Sequence, residues 1–219
     1  MRPMLPHRGP GGRPDARLRL VPDTPAHPAI QRVLAAAARK GVTLEVTVFD
    51  ASTHTAAEAA AAVGADLGQI VKSLVFVVPT ESGPEPLLCL VSGPNRVDIA
   101  RLAAVTGEAD IRRATAREAH DLTGFSIGGI PPIGHLRPVR VIMDPDLGRY
   151  PVVWAAAGLP TAVFPVPPGT LRVLANATVA PIAEERTAAD LEADARREPA
   201  GSDGGLPGGA PVAAVDAGS

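Results

Sequence analysis

The stretch Val71–Val78 constrains this chain more than any other: it reads VKSLVFVV and is almost wholly aliphatic or β-branched. Such a run is expected to form a buried strand, because short apolar runs rich in Val and Phe belong inside sheets. It is far shorter than the roughly 18 residues that span a bilayer. The other long apolar stretch, Val152–Val166, is broken by Gly158 and Pro160. One residue breaks the pattern of the strand. Lys72 puts an ammonium among apolar neighbours, where it has to find a partner or bind its proton less firmly. Two readings stand: a lysine that snorkels from the strand end, or one aimed into a polar pocket as substrate clamp or electrophile. Of the 21 basic residues only Lys40 and Lys72 are lysines, so each position asks for a reason. Lys40 has one at hand, because it follows a helical pattern whose C-terminal end attracts a cation.

That helix is expected to start at His27-Pro28, bury Ile30, Val33, Leu34, Ala37 and Ala38, and stop at Gly41. Thr43–Phe49 alternates as a half-buried strand. Thr55-Ala-Ala-Glu58 and Thr115-Ala-Arg-Glu118 are capping boxes, opening helices that end at Gly64 and Gly124. After the Val71–Val78 strand a turn is expected over Glu81–Pro86, then a strand over Leu87–Ser92 and a helix over Val97–Ala104. Strands over Val139–Met143, Val152–Ala157 and Thr161–Phe164 and a short helix over Thr170–Leu174 follow. Strands and helices intermix without a clean βαβ repeat, which favours an α+β domain over a doubly wound sheet. Aromatics are 3% of the residues, so Ala, Val, Leu and Ile have to build the core.

The 24 prolines and 22 glycines crowd both ends. Residues 1–21 are expected to be a disordered basic arm and residues 188–219 a disordered acidic Gly/Pro-rich tail, leaving 22–187 as a single folded domain. No apolar segment follows the N-terminal arginines, so no signal peptide is expected, and the location expected is cytoplasmic. A net charge of −2 argues against coating nucleic acid through a broad basic face, though not against reading a small part of one, such as a tRNA end. The single cysteine, Cys89, excludes a disulfide framework and a Cys-based zinc site; within an apolar strand it reads as packing. No two histidines stand at metal-ligand spacing, and His54 beside a capping box and His120 in a short helix read as structural. Ser92 and Ser126 lack a nucleophile-elbow context.

The second feature is the loop Phe125–Leu136, FSIGGIPPIGHL. Tandem prolines fix φ and remove donors, while glycines permit backbone shapes that other residues resist. The loop is either a stiff structural turn or a rigid presenter of peptide groups to a ligand. It is neither a dinucleotide fingerprint nor a Walker loop. His135 reads as a base, a substrate donor or a structural residue.

Together these features resemble the YbaK/ProX family of aminoacyl-tRNA deacylases, which includes the editing insertion of bacterial prolyl-tRNA synthetase. The resemblance rests on Gln69-Ile-Val-Lys72-Ser73-Leu-Val-Phe76, then Leu90-Val-Ser92-Gly93, then Gly124-Phe-Ser-Ile-Gly128-Gly129-Ile130-Pro131-Pro132-Ile-Gly134-His135, and Val153-Trp-Ala-Ala-Ala-Gly158. It covers about residues 24–186. It implies a mixed, barrel-like β-sheet surrounded by helices, and hydrolysis of the ester between a wrong, small amino acid and tRNA without cofactor or metal. It implies Lys72 as the catalytic residue. Gly128, Gly129, Ile130, Pro131, Pro132, Gly134, His135, Ser73, Ser92, Gly93 and Gly158 are implied as substrate-binding. The implied partner is the acceptor end of a mischarged aminoacyl-tRNA, with a synthetase as a further candidate. Lys72 would stabilise the oxyanion or hold the terminal adenosine. Ala156-Ala157-Gly158, where cysteine-editing members tend to carry Ser-Gly-Gly, and the Pro131-Pro132 pair point to another subgroup. A free-standing trans-editing hydrolase is expected. The rival is a catalytically weak module that binds aminoacyl-tRNA or a nucleotide-like ligand.

Overall fold

The computed structural model describes residues 27–49 and 55–185. The expected arms, 1–21 and 188–219, and His54 lie outside the described residues. Among the described residues five α-helices form: α1 Pro28–Ala38, α2 Ala56–Val63, α3 Ile99–Thr106, α4 Ala116–Thr123 and α5 Pro168–Ala175. Eight strands accompany them: β1 Thr47–Val48, β2 Val71–Thr80, β3 Gly83–Ser92, β4 Arg112–Arg113, β5 Arg140–Met143, β6 Val153–Ala156, β7 Ala162–Val166 and β8 Thr178–Val179.

The strands divide into a five-stranded sheet, ordered β4-β2-β3-β5-β8, and a three-stranded sheet, ordered β1-β7-β6. In the larger sheet β5 runs parallel to β3 and to β8; all other pairs are antiparallel. The fold is therefore mixed α+β, as expected. Both sheets are open among the described residues, and they meet at one isolated bridge, Ile70↔Trp154.

The apolar run of β2 explains the layering. Its alternate residues Val71, Val75 and Val77 enter one core with Leu88 and Leu90 of β3, Ile30 and Val33 of α1 and Leu171 and Leu174 of α5. Phe76, with Leu87, Cys89 and Val91 of β3, enters a second core on the opposite face, closed by Leu102 of α3 and by Ile142 and Ile182. A strand apolar on both faces requires cover on both.

Local signals placed most helix ends. Both capping boxes form reciprocally, and Gly64 and Gly124 end their helices. Three expectations are corrected. The strand expected over 43–49 is paired only at Thr47 and Val48; Leu44 is buried by packing instead. The expected helix over 97–104 starts two residues later, where Asp98 accepts the N–H groups of Ala100 and Arg101. The expected turn over Glu81–Pro86 shrinks to Glu81-Ser82, because β2 and β3 stay paired out to Thr80↔Gly83. The prolines that suggested a loop are accommodated by parity. Leu90 gives its carbonyl to Asp144 on the β5 side, so every second residue back, Pro86 and Pro84 included, turns its nitrogen away from β2. Over those residues β3 has no second neighbour, since pairing with β5 starts at Leu87.

Candidate functional site

Pairing along β2 is complete on one edge and interrupted on the other. Towards β3 it runs from Val71 to Thr80. On the outer edge, β4 covers Phe76 and Val77, and Ala114 N–H reaches Val75 O at 3.0 Å. At the other end, Ile70 bridges to Trp154. No strand lies opposite Val71–Leu74 among the described residues. Because Val75 turns its carbonyl outward, Ser73, two residues back, turns its own N–H and C=O to the same side. A cavity of about 230 Å³ opens at this gap. Its walls come from β2, Arg113-Ala114, α2, Trp154 and Ala156 of β6, the Leu159-Pro160 segment, and Ile127, Gly128 and Ile130 of the loop. The Ser73 hydroxyl is buried and has no hydrogen-bond partner among the described residues.

Lys72 projects to the other face of β2. Its Nζ donates to the backbone carbonyl of Asn95. Asn95 is itself buried, and its Nδ2 donates to Asp146 Oδ2 at 2.8 Å. The chain continues through Asp146 N–H to Asp144 Oδ1 at 3.1 Å, while Asp144 Oδ2 accepts Ile182 N–H and Ala183 N–H at 3.0 and 2.9 Å. Lys72 thus has a fixed anchor rather than a loose snorkelling geometry. Burial lowers its proton affinity from the ordinary lysine value, and the nearby Arg113 and Arg96 guanidinium groups lower it further. Lys72, Leu74 and Arg113 line both the cavity and an open groove of about 570 Å³ on the far side of β2.

The loop divides in two. Gly128 and Ile130 line the cavity. Between them Gly129 packs backbone to backbone, for a Cβ there would lie 2.6 Å from the Leu159 carbonyl carbon. Pro132, Gly134 and His135 turn instead to a separate depression with Arg39, Lys40 and Arg137. His135 Nε2 pairs with the Pro131 carbonyl at 2.8 Å, which requires the Nε2–H tautomer. Burial pushes the His135 pKa down, against the opposing pull of the Pro131 bond. Its ring meets Phe125 edge-on at 6.1 Å, and Arg32 lies over the Phe125 ring at 4.1 Å. His135 is a brace of the loop.

The remaining residues singled out from sequence lie away from the cavity. Ser92 Oγ donates to Gly68 O at 2.6 Å, and Gly93 lets Leu67 O approach where a Cβ would stand at 2.1 Å; both clamp the Leu67–Gln69 turn onto the end of β3. Gly158 backs onto Ala29 of α1 and the Phe125 ring. Cys89 is buried and its thiol is pushed up to about 12, consistent with packing. Lys40 donates to Val173 O in the last turn of α5 at 3.0 Å, so the helix end it serves is not its own. Among the described residues no cluster of three His, Cys, Asp or Glu could hold a metal, and no helix is long and apolar enough to cross a membrane.

Sequence reasoning gave no role to Arg113 or Arg96, and none to Trp154 beyond its place in the Val153–Gly158 motif. The Arg112-Arg113 pair carries no apolar period, and only the folded edge reveals it as β4. Trp154 did carry a signal, as the single tryptophan of an aromatic-poor chain.

Residues 50–174 match the family described as the aminoacyl-tRNA editing domain. A proline–tRNA ligase of Cupriavidus necator is 38% identical over 81 residues, which are 37% of this chain and 14% of the ligase. The chain therefore spans only a small part of that relative. The multifunctional Ser/Thr-tRNA deacylase ProXp-y of Escherichia coli K12 is 29% identical over 121 residues, 53% of this chain and 70% of the relative. A crystal structure of a candidate trans-editing enzyme for prolyl tRNA synthetase superposes with a TM-score of 0.67 at 48% identity, covering 73% of this chain and 99% of that one.

Proposed function

The chain belongs to the aminoacyl-tRNA editing domain family, and from that premise we propose that it is a free-standing, trans-acting hydrolase. Its substrate is a tRNA mischarged with a small amino acid, and its place of work is the cytoplasm, where tRNA is charged. The match over 99% of the trans-editing candidate supports a free-standing enzyme. Water attacks the ester carbonyl, the ester C–O bond breaks, and the terminal ribose leaves as a hydroxyl after taking up a proton. Free amino acid and reusable tRNA result.

An aminoacyl ester is already activated, so the task left to the protein is to hold the group and stabilise the charge that develops on the carbonyl oxygen. The observation that carries the reading is Ser73 beside Lys72. The Ser73 N–H faces a gap in the ladder with no strand opposite among the described residues, and Ser73, whose buried Oγ has no partner there, lines the same cavity. The N–H and the Lys72 ammonium supply two donors at the carbonyl, Lys72 being the catalytic residue. Ser73 Oγ hydrogen-bonds the amino group or side chain of the substrate. Gly128 and Ile130 shape the wall of the amino-acid pocket, and Gly129, Pro131 and Pro132 hold that wall in place. Small residues at Ala59, Ala114 and Ala156 keep the cavity near 230 Å³, which suits a small aminoacyl group.

The test is deacylation of tRNAs charged with alanine, serine, cysteine and threonine by the purified full chain. Multiple turnovers on at least one of them are expected. Protection or binding of every charged tRNA without turnover would replace the hydrolase reading with that of a binding module.

A further inference from the structure

The alternation of β2 assigns the groove its walls. Leu74 and Phe76 share the face of Lys72, and across from them stand Arg96, Arg113 and Ile111. The charges there do not balance. Arg112 is spent on Glu118, which it grips through two bonds of 2.9 and 2.6 Å, drawing that carboxyl down to about 2. Arg113 lies over the Phe76 ring at 5.8 Å and has no carboxylate partner, and Arg96 has no side-chain partner among the described residues. Glu184 is the remaining acid of the groove wall. Lys72, Arg96 and Arg113 therefore form a cluster of three cations, close enough for the two guanidinium groups to depress the lysine's proton affinity. Three cations facing the one carboxylate of Glu184 leave an excess of positive charge that an anion would relieve. Beside them the exposed Ile99 and the half-buried Val97 and Leu74 offer an apolar surface.

We propose that this groove is the acceptor-end subsite: Arg96 and Arg113 hold the phosphates next to the terminal adenosine, the base rests on the apolar surface by Ile99, and the aminoacyl group crosses the open edge of β2 into the cavity. The inference rests on the deacylase reading above and adds to it the direction in which the substrate lies. Lys72 and Leu74, which line both hollows, then sit where the ester joins nucleotide to amino acid.

Binding of the full chain to an uncharged acceptor-stem minihelix ending in CCA, followed by fluorescence anisotropy across a salt series, tests this. The Arg96→Gln/Arg113→Gln double variant should bind at least tenfold more weakly. Its slope of log affinity against log salt should be shallower by about 1.4, at roughly 0.7 for each of two single-strand phosphates no longer neutralised. Removing the terminal CA should weaken the wild type by a similar factor and leave the double variant little changed. Arg117→Gln is the control, because the Arg117 side chain on α4 is 92% exposed and pairs with Asp121; it should bind as the wild type does. An unchanged affinity and slope in the double variant, or a wild type that does not bind the minihelix, overturns the assignment. Tighter binding of free AMP than of the minihelix overturns it too, in favour of a small nucleotide. The two proposals fail separately. A wild type that binds the CCA end through these arginines but never hydrolyses a charged tRNA sinks the deacylase reading and keeps the groove. A double variant with undiminished deacylation sinks the groove and keeps the deacylase.

Discussion

Around Lys72 and Ser73, polar groups are left over: the Ser73 hydroxyl has no partner, its amide faces a gap, and Arg96 and Arg113 have no carboxylates among the described residues. Around Pro131–His135 they are used up. The His135 ring holds the Pro131 carbonyl, Arg32 Nη2 holds Gly124 O at 2.5 Å, and Leu136 N–H returns to Thr123 O at 3.1 Å, with Arg32 Nε the exception. A folded chain satisfies its own buried donors and acceptors wherever it can. The first region therefore reads as the part that waits for a ligand, and the second as the frame that holds the first in shape.

The largest effect expected from breaking this division is at Lys72. Lys72→Ala should lower kcat/KM for deacylation by about 10²–10³, the usual effect of deleting one donor to a developing oxyanion. Its unfolding free energy, from urea titration, should shift by no more than about 1.5 kcal/mol, since relief of burial offsets loss of the bond to Asn95. Lys72→Arg should be nearly as inactive, because a planar fork does not replace a compact ammonium. Wild-type turnover by Lys72→Ala would return this residue to the frame.

Gly129 marks the border between the regions. Gly129→Val has to displace the Leu159 backbone and should cost about 1–3 kcal/mol in the same titration, with activity falling alongside. A variant as stable as the wild type would show that the wall can yield.

His135 should reveal itself through pH alone. Its folded pKa is depressed, so the unfolded imidazole takes up a proton near its ordinary value of about 6.5 while the folded one resists. Stability is then fully present above that value and is lost as pH falls below it, by at most about 1.4 kcal/mol per pH unit. His135→Gln keeps a donor for the Pro131 carbonyl but cannot titrate, so its stability should vary less between pH 7 and 5. An equally steep loss in the variant would assign the slope to other groups.

The smallest effect is expected at Lys40. Lys40→Ala loses one exposed bond to Val173 O and should change stability by under about 1 kcal/mol and deacylation not at all. A marked loss of turnover would extend the ligand-facing region to the depression beside Arg39 and Arg137.

What was legible in the sequence was what is local. Thr55 with Glu58, Thr115 with Glu118, and the glycines that follow them contain the whole of a helix end within a few residues, so their pattern suffices. The β2 run declares itself because it is buried on both faces. Pairing was harder to read. Thr43–Phe49 has a strand's alternation, yet β7 offers it a partner at only two positions, and Pro84 and Pro86 suggest a loop because the side of β3 they face cannot be known in advance. The candidate site shows the same limit. Lys72 stood out as a charge in an apolar run, and the loop through its Gly and Pro. Arg113 and Arg96 did not, because an exposed arginine acquires meaning only from what the fold places beside it.

The interruption in β2 also bears on solubility. An uncovered sheet edge is a template on which another chain can add a strand, and proteins blunt such edges with charge or keep them short. Here the stretch left uncovered between β4 and the Trp154 bridge is Val71–Leu74, with Arg112 and Arg113 standing at its rim. A foreign strand would need more length than the opening gives. A single ester group needs only one amide. The dimensions of this gap thus suit a single carbonyl better than an added strand.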